Sequence, residues 1–175
     1  MSRFLIQKEA LWEYSLDAYS NQAIKEACLE LQDSMMINVN LVLCMMYVCS
    51  HRYMFDFDDL EKIELAIAES DKALIRHRAK RRGLKLMDKA LYEEALKDEL
   101  ILEKSQHQEI VNAANALFFR HMTHNSQLSD QLSGLCLMRI NALNRTRQKR
   151  LALKQIPEAS LMACTTIGAF LESAF

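Results

Sequence analysis

Residues 38–51 read NVNLVLCMMYVCSH, and their pattern decides the fold. Positions 41–49 are apolar without a break. That run falls far short of the roughly 20 residues a membrane span needs, so it reads as a helix buried inside a protein. Asn38 is the residue type that caps a helix N-terminus. A helix apolar on nearly every side must be enclosed by others, so this third helix is expected at the centre. Asn40 is its polar exception. A buried amide finds partners or costs about 1–3 kcal/mol. Asn40 is therefore expected to cap or tether a neighbouring backbone, with a ligand contact as the second reading.

Working outward, residues 8–19 place Leu11, Trp12, Leu16 and Tyr19 on one helical side and Glu9, Glu13 and Asp17 on another. Asn21 is the expected cap of a second helix reaching Ser34, with Ile24, Ala27, Cys28, Leu31 and Met35 inward. Asp58 is the expected cap of a fourth helix that buries Leu60, Ile63 and Ile67. From about residue 84 to 121 the helical pattern has no breaker, and Ile110, Ala114, Leu117 and Phe118 supply a core face. Residues 121–133 are polar and read as a loop, and 135–147 as an amphipathic helix. Pro157 marks the start of a last helix, rich in apolar and small residues, that must pack on the body or on a partner. Three glycines and one proline are too few for hairpins, nucleotide loops or tight α/β turns. The expectation is an all-α fold: one bundle of about six to eight helices over residues 1–175, helix three central. Residues 121–157 form its least regular connection and 158–175 its C-terminal helix.

The five cysteines are an odd number without a CxxC pair. They read as free thiols in a core, which favours a reducing, cytoplasmic location. The N-terminal MSRFLIQKEALWEYS has neither a long apolar run nor a small-residue cleavage site, so no signal peptide and no membrane span are expected.

Charge is concentrated in one place. Residues 72–85, KALIRHRAKRRGLK, hold seven Lys or Arg in fourteen positions on a chain of net charge −1. Arg78, Arg81, Arg82 and Lys85 recur at i, i+3, i+4 and i+7, one stripe on a helix. Gly83 predicts a bend or break there. The leading expectation is that the stripe neutralises the acidic edges of neighbouring helices, since Arg pairs carboxylates well. A small acidic ligand comes next, and nucleic acid after it. Residues 70–90 lack the aromatics that single-strand binding uses. A second basic cluster, Arg145, Arg147, Lys149, Arg150 and Lys154, has no helical register and reads as solvated surface.

Enzyme signatures are absent: no G-x-S-x-G, no G-x-x-x-x-G-K-[ST] and no G-x-G-x-x-G. Glu99, Glu103 and His107 stand at i, i+4 and i+8, but the chain has no Glu-x-x-His of the kind carboxylate-bridged bundles use. His121 and His124 form H-x-x-H without a third clustered ligand. No metal and no cofactor is expected.

Five blocks follow in order: Trp12-x-x-Ser15-Leu16-x-x-Tyr19, Ala27-Cys28-Leu29-x-Leu31-Gln32-Asp33, Asn38-Val39-Asn40-Leu41-x-Leu43, Arg78-x-x-Arg81-Arg82-x-Leu84-Lys85 and Lys97-x-Glu99-Leu100-x-x-Glu103. Over about residues 11–110 the chain resembles a family of small proteobacterial proteins catalogued as a domain of unknown function. The resemblance implies a bacterial, cytoplasmic, helical protein with no established activity. That family usually places Gly in the turn after the Gln-Asp pair, where this chain has Met35, Met36 and Ile37. The resemblance also suggests a polar arrangement of Gln32, Asp33 and Asn40 with Arg78, Arg81, Arg82, Lys85, Glu99 and Glu103. In it, Asp33 and the later carboxylates pair with the arginine stripe. The functional expectation is a non-enzymatic binding or interaction module for a protein partner or small acidic ligand. The alternatives are a nucleic-acid binder using residues 72–85, and behind that an enzyme whose site assembles only in space.

Overall fold

The computed structural model describes residues 3–122, 127–145 and 155–172. Among these are eight helices: α1 (Lys8–Ser20), α2 (Gln22–Met35), α3 (Val39–Ser50), α4 (Phe57–Ala66), α5 (Ala68–Leu84), α6 (Lys89–Asn115), α7 (Gln127–Arg145) and α8 (Glu158–Glu172). Two short strands, β1 (Tyr53–Met54) and β2 (Arg120–His121), pair antiparallel with Tyr53 opposite His121. The fold is all-α, with that ribbon as its only described sheet. No described helix is long and apolar enough to cross a membrane.

Helix α3 is central. Every residue from Val39 to Cys49 is buried, and α3 touches α1, α2, α6, α7 and α8. Asn38 caps it by accepting from the Leu41 N–H at 3.0 Å. Asn21 serves two helices at once. Its N–H closes α1 on Ala18 O, and its side chain accepts from Ala23 and Ile24 to open α2. The apolar C-terminal helix packs on the body, against α2 and α7.

Several expectations need correction. Asp58 does not cap α4: the helix starts at Phe57 after Asp56, and Asp58 sits in the first turn beside its positive end. The helix expected from about residue 84 to 121 is shorter: α5 ends at Leu84, one residue past Gly83 where the break was expected, Asp88 caps α6, and α6 stops at Asn115. Phe118 lies beyond that end and is 79% exposed, not core; the Arg3 guanidinium lies over its ring, 4.9 Å from the centroid. The polar stretch 121–133 is not all loop. α7 begins at Gln127, eight residues before expectation, because Leu128 and Leu132 are driven into the core. Of the side formed by Leu11, Trp12, Leu16 and Tyr19, Leu11 is buried while Leu16 is 54% exposed and lines a cavity. His124 and residues 147–154 of the second basic cluster lie outside the described residues, as does the side chain of Arg145.

The turn between α2 and α3 has a cost. Met36 adopts the left-handed conformation, φ 55° and ψ 30°, and its N–H closes α2 on Gln32 O and Leu31 O. Glycine adopts this geometry freely; an L side chain pays about 1–2 kcal/mol.

Candidate functional site

One face from each of five helices lines a solvent-open cavity of about 410 Å³. α1 contributes Trp12, Ser15, Leu16 and Tyr19, at i, i+3, i+4 and i+7. α2 contributes Lys25, Leu29, Gln32 and Asp33, and α3 Val39, Asn40 and Leu43. α5 adds Arg78, Arg81 and Arg82; α6 adds Leu96, Glu99, Leu100, Glu103 and His107. Each of the five sequence blocks thus sends side chains to the same space. The floor is buried: Ser15, Val39, Asn40, Leu43, Glu99 and His107 are all at most 8% exposed. Lys25, Asp33 and Arg82 stand exposed at the rim.

Two polar ladders tie the walls together. In the first, Arg78 spans three partners. Its Nε donates to Glu99 at 3.1 Å, Nη1 to Gln32 Oε1 at 2.8 Å and Nη2 to Glu103 at 2.8 Å. Burial opposes the charge on Arg78; the hydrogen bonds and charges of Glu103 and Glu99 outweigh it, so its pKa lies above the ordinary value. Arg81 Nε takes the second Glu99 oxygen, and Arg81 Nη1 reaches the Tyr92 hydroxyl at 3.3 Å. Two guanidinium groups therefore offset two carboxylates, all four side chains being partly buried.

The second ladder is uncharged apart from one end. Asn38 Nδ2 donates to Asp71 at 2.5 Å and to Gln106 Oε1 at 3.0 Å. Asn40 Nδ2 donates to the same Gln106 oxygen at 2.8 Å, and Asn40 Oδ1 faces His107 Nε2 at 3.2 Å. Asn40 is thus held by side chains of α6, not by a neighbouring backbone as expected. Burial pushes the His107 pKa down to about 4, so its ring is neutral near pH 7.

The expected site residues divide. Gln32, Asn40, Arg78, Arg81, Glu99 and Glu103 converge through the bonds above. Asp33, Arg82 and Lys85 do not join: all three are exposed and take part in none of the described ion pairs, which corrects the expected pairing of Asp33 with the stripe. Sequence reasoning missed Gln106 and Asn38 as network members, and Ser15 and His107 as floor. His107 shares the i, i+4, i+8 spacing of Glu99 and Glu103, weighed above only as a metal pattern. That spacing signals a common face, and here the face lines a cavity. Among the described residues no three His, Cys, Asp or Glu side chains gather to hold a metal ion.

Compared with known proteins, the chain matches no curated protein and no solved structure. Residues 10–110 match a family described as a protein of unknown function, DUF2390, and that span holds all five cavity walls. With more than half of its length matched, the chain belongs to this family.

Proposed function

We propose that the protein is a non-enzymatic cytoplasmic binding module whose guest is a small molecule held in the cavity between α1, α2, α3, α5 and α6. The observation that carries this reading is the cavity's construction. Its volume falls within the roughly 300–1,000 Å³ of small-molecule sites, and like them it joins apolar walls to a few placed polar groups. Trp12, Leu16, Leu29, Leu43, Leu96 and Leu100 offer an apolar surface. The two ladders fix the polar side chains before any guest arrives, which lowers the cost of binding. Lys25, Asp33 and Arg82 stand exposed at the rim, where water screens their charges.

Chemistry is not supported by the same geometry. A serine nucleophile needs a base within hydrogen-bond reach. Ser15 Oγ and His107 Nδ1 are both without a hydrogen-bond partner, hence not paired with each other. The five cysteines are buried free thiols, in keeping with a reducing compartment.

A thermal-shift screen of small amphiphilic compounds tests the reading. A guest at about 100 times its Kd stabilises by about 2.7 kcal/mol, which raises Tm by roughly 5–10 °C for a chain of this size. Leu16→Trp, at an exposed lining position, blocks the space without disturbing the core and should abolish the shift. Shifts of equal size in that variant, or none in the parent chain, overturn the proposal.

A further inference from the structure

The second ladder fixes more than the walls; it fixes where one proton sits. The Asp71 carboxylate only accepts, and the Leu41 N–H only donates. Asn38 touches both, so its amide nitrogen must face Asp71 and its oxygen Leu41. That nitrogen also meets Gln106, which presents Oε1. Gln106 Oε1 in turn faces the amide nitrogen of Asn40, leaving Asn40 Oδ1 toward His107 Nε2. Nε2 must therefore carry the ring proton. Nδ1 is left with a bare lone pair, 2% exposure for the residue and no partner. Ser15 Oγ, on a residue 4% exposed, is equally without a partner.

Buried polar atoms are almost always satisfied by protein or ordered water, so an unpartnered pair beside a cavity marks a place that a guest's polar group can take. Ser15 and His107 line the same cavity. His107 and Trp12 also line a second hollow of about 270 Å³, beside Lys8, Glu9, Glu13 and Lys104. The Trp12 indole stands edge-on to the His107 ring, centroids 5.1 Å apart and planes at 83°. Trp12 and His107 are thus common to the linings of both spaces.

We propose that the guest presents an uncharged hydrogen-bond donor, an N–H or O–H group on an apolar body, to His107 Nδ1 and the Ser15 hydroxyl, with the Trp12 indole moving aside to admit it. This rests on the cavity being a ligand site. The geometry selects against the other charge classes. A carboxylate or phosphate has no proton to offer a lone pair. An ammonium group would lie on a floor whose carboxylate, Glu99, is already bound by Arg78 and Arg81. Burial holds the imidazole neutral, which keeps Nδ1 an acceptor at physiological pH.

Trp12 is the chain's single tryptophan, so its emission reports on entry directly. Four probes of one chain length separate the classes: octanamide, N,N-dimethyloctanamide, octanoate and octylamine. Octanamide should change Trp12 emission and bind about tenfold more tightly than the other three, the value of one satisfied buried acceptor. In His107→Phe, which keeps ring bulk but has no lone pair, that preference should shrink to about twofold or less. Nitrogen-15 NMR of the parent chain gives a readout that needs no variant. Free Nδ1 should show the shift of an unprotonated ring nitrogen, and it should move on adding octanamide but not its dimethyl analogue. Equal affinity for the two amides, or tighter binding of octanoate or octylamine, overturns the inference while leaving the cavity reading standing, provided Leu16→Trp still abolishes the thermal shift. No response to any probe overturns both.

Discussion

Arg78→Ala is the substitution to which this fold should be most sensitive. The guanidinium reaches Glu99, Gln32 and Glu103, so one side chain on α5 joins α2 to two successive turns of α6. Its removal leaves Glu103 without its ion partner and Glu99 with only Arg81. Breaking a buried pair from one side costs about 3–5 kcal/mol. The side chain of Glu103 is 27% exposed and water relieves part of its charge, which places the cost near the lower end, about 3 kcal/mol. For a chain of this size each kcal/mol moves Tm by about 2–4 °C, so the loss should be roughly 6–12 °C. Thermal unfolding followed by circular dichroism measures it. Two companions isolate the cause. Arg82→Ala, in the same stripe but exposed, should stay within about 2 °C of the parent. Adding Glu103→Gln to Arg78→Ala should recover part of the loss, because the stranded charge is then gone. A shift below 2 °C for Arg78→Ala, or a further fall on adding Glu103→Gln, would refute the reasoning.

His107 titrates at an ordinary 6.5 when unfolded and at about 4 in the fold. A depressed pKa means the fold prefers the neutral ring, so its contribution is complete above pH 6.5 and is lost as pH falls toward 4, in total about 3 kcal/mol. Urea unfolding of the parent and of His107→Phe across that window should show the steeper acid loss in the parent; parallel curves would count against the assignment. Gln106→Leu removes the oxygen shared by Asn38 and Asn40 and should cost about 2–4 kcal/mol in urea unfolding, with less than 1 kcal/mol as the contrary result. Met36→Gly should relieve the left-handed strain by about 1 kcal/mol and raise Tm by roughly 2–4 °C, since Met36 is half exposed and little packing is lost. A fall in Tm would show that its side chain matters more than its backbone.

The position of α3 was legible because its apolar run has only one way to be satisfied, and both Asn caps were legible because capping is local chemistry. The ends of α6 and α7 were not. A two-residue ribbon such as Tyr53–Met54 with Arg120–His121 has no periodicity to read, yet its pairing draws the chain away from α6. Leu128 and Leu132 lie in a polar neighbourhood whose composition outvotes them, although those two side chains fix the start of α7 in the core. The stripe was legible as a stripe but not as a divided one. At about 100° per residue, Arg81 and Arg82 lie on opposite flanks of Arg78. Spacing alone cannot say which flank a neighbouring helix will occupy. α6 occupies the Arg81 side, so Glu99 meets Arg78 and Arg81, while Arg82 is left at the rim.

That division bears on which surface the protein can offer. A nucleic-acid face works by releasing counterions from several phosphates at once, and its affinity scales with the number of cations free to do so. Arg78 and Arg81 are withdrawn from that number by their carboxylates, and Lys72 is paired with Glu69, which leaves Arg82 and Lys85 exposed in the stripe and Arg76 and Lys80 exposed on other faces of the helix. The withdrawn pair buys something else. With their charges offset, Arg78, Glu99 and Glu103 tie α2, α5 and α6 together around a space that is close to neutral, which is what the proposed guest requires. The same bonds that would be spent on packing in a solid bundle here keep a space open.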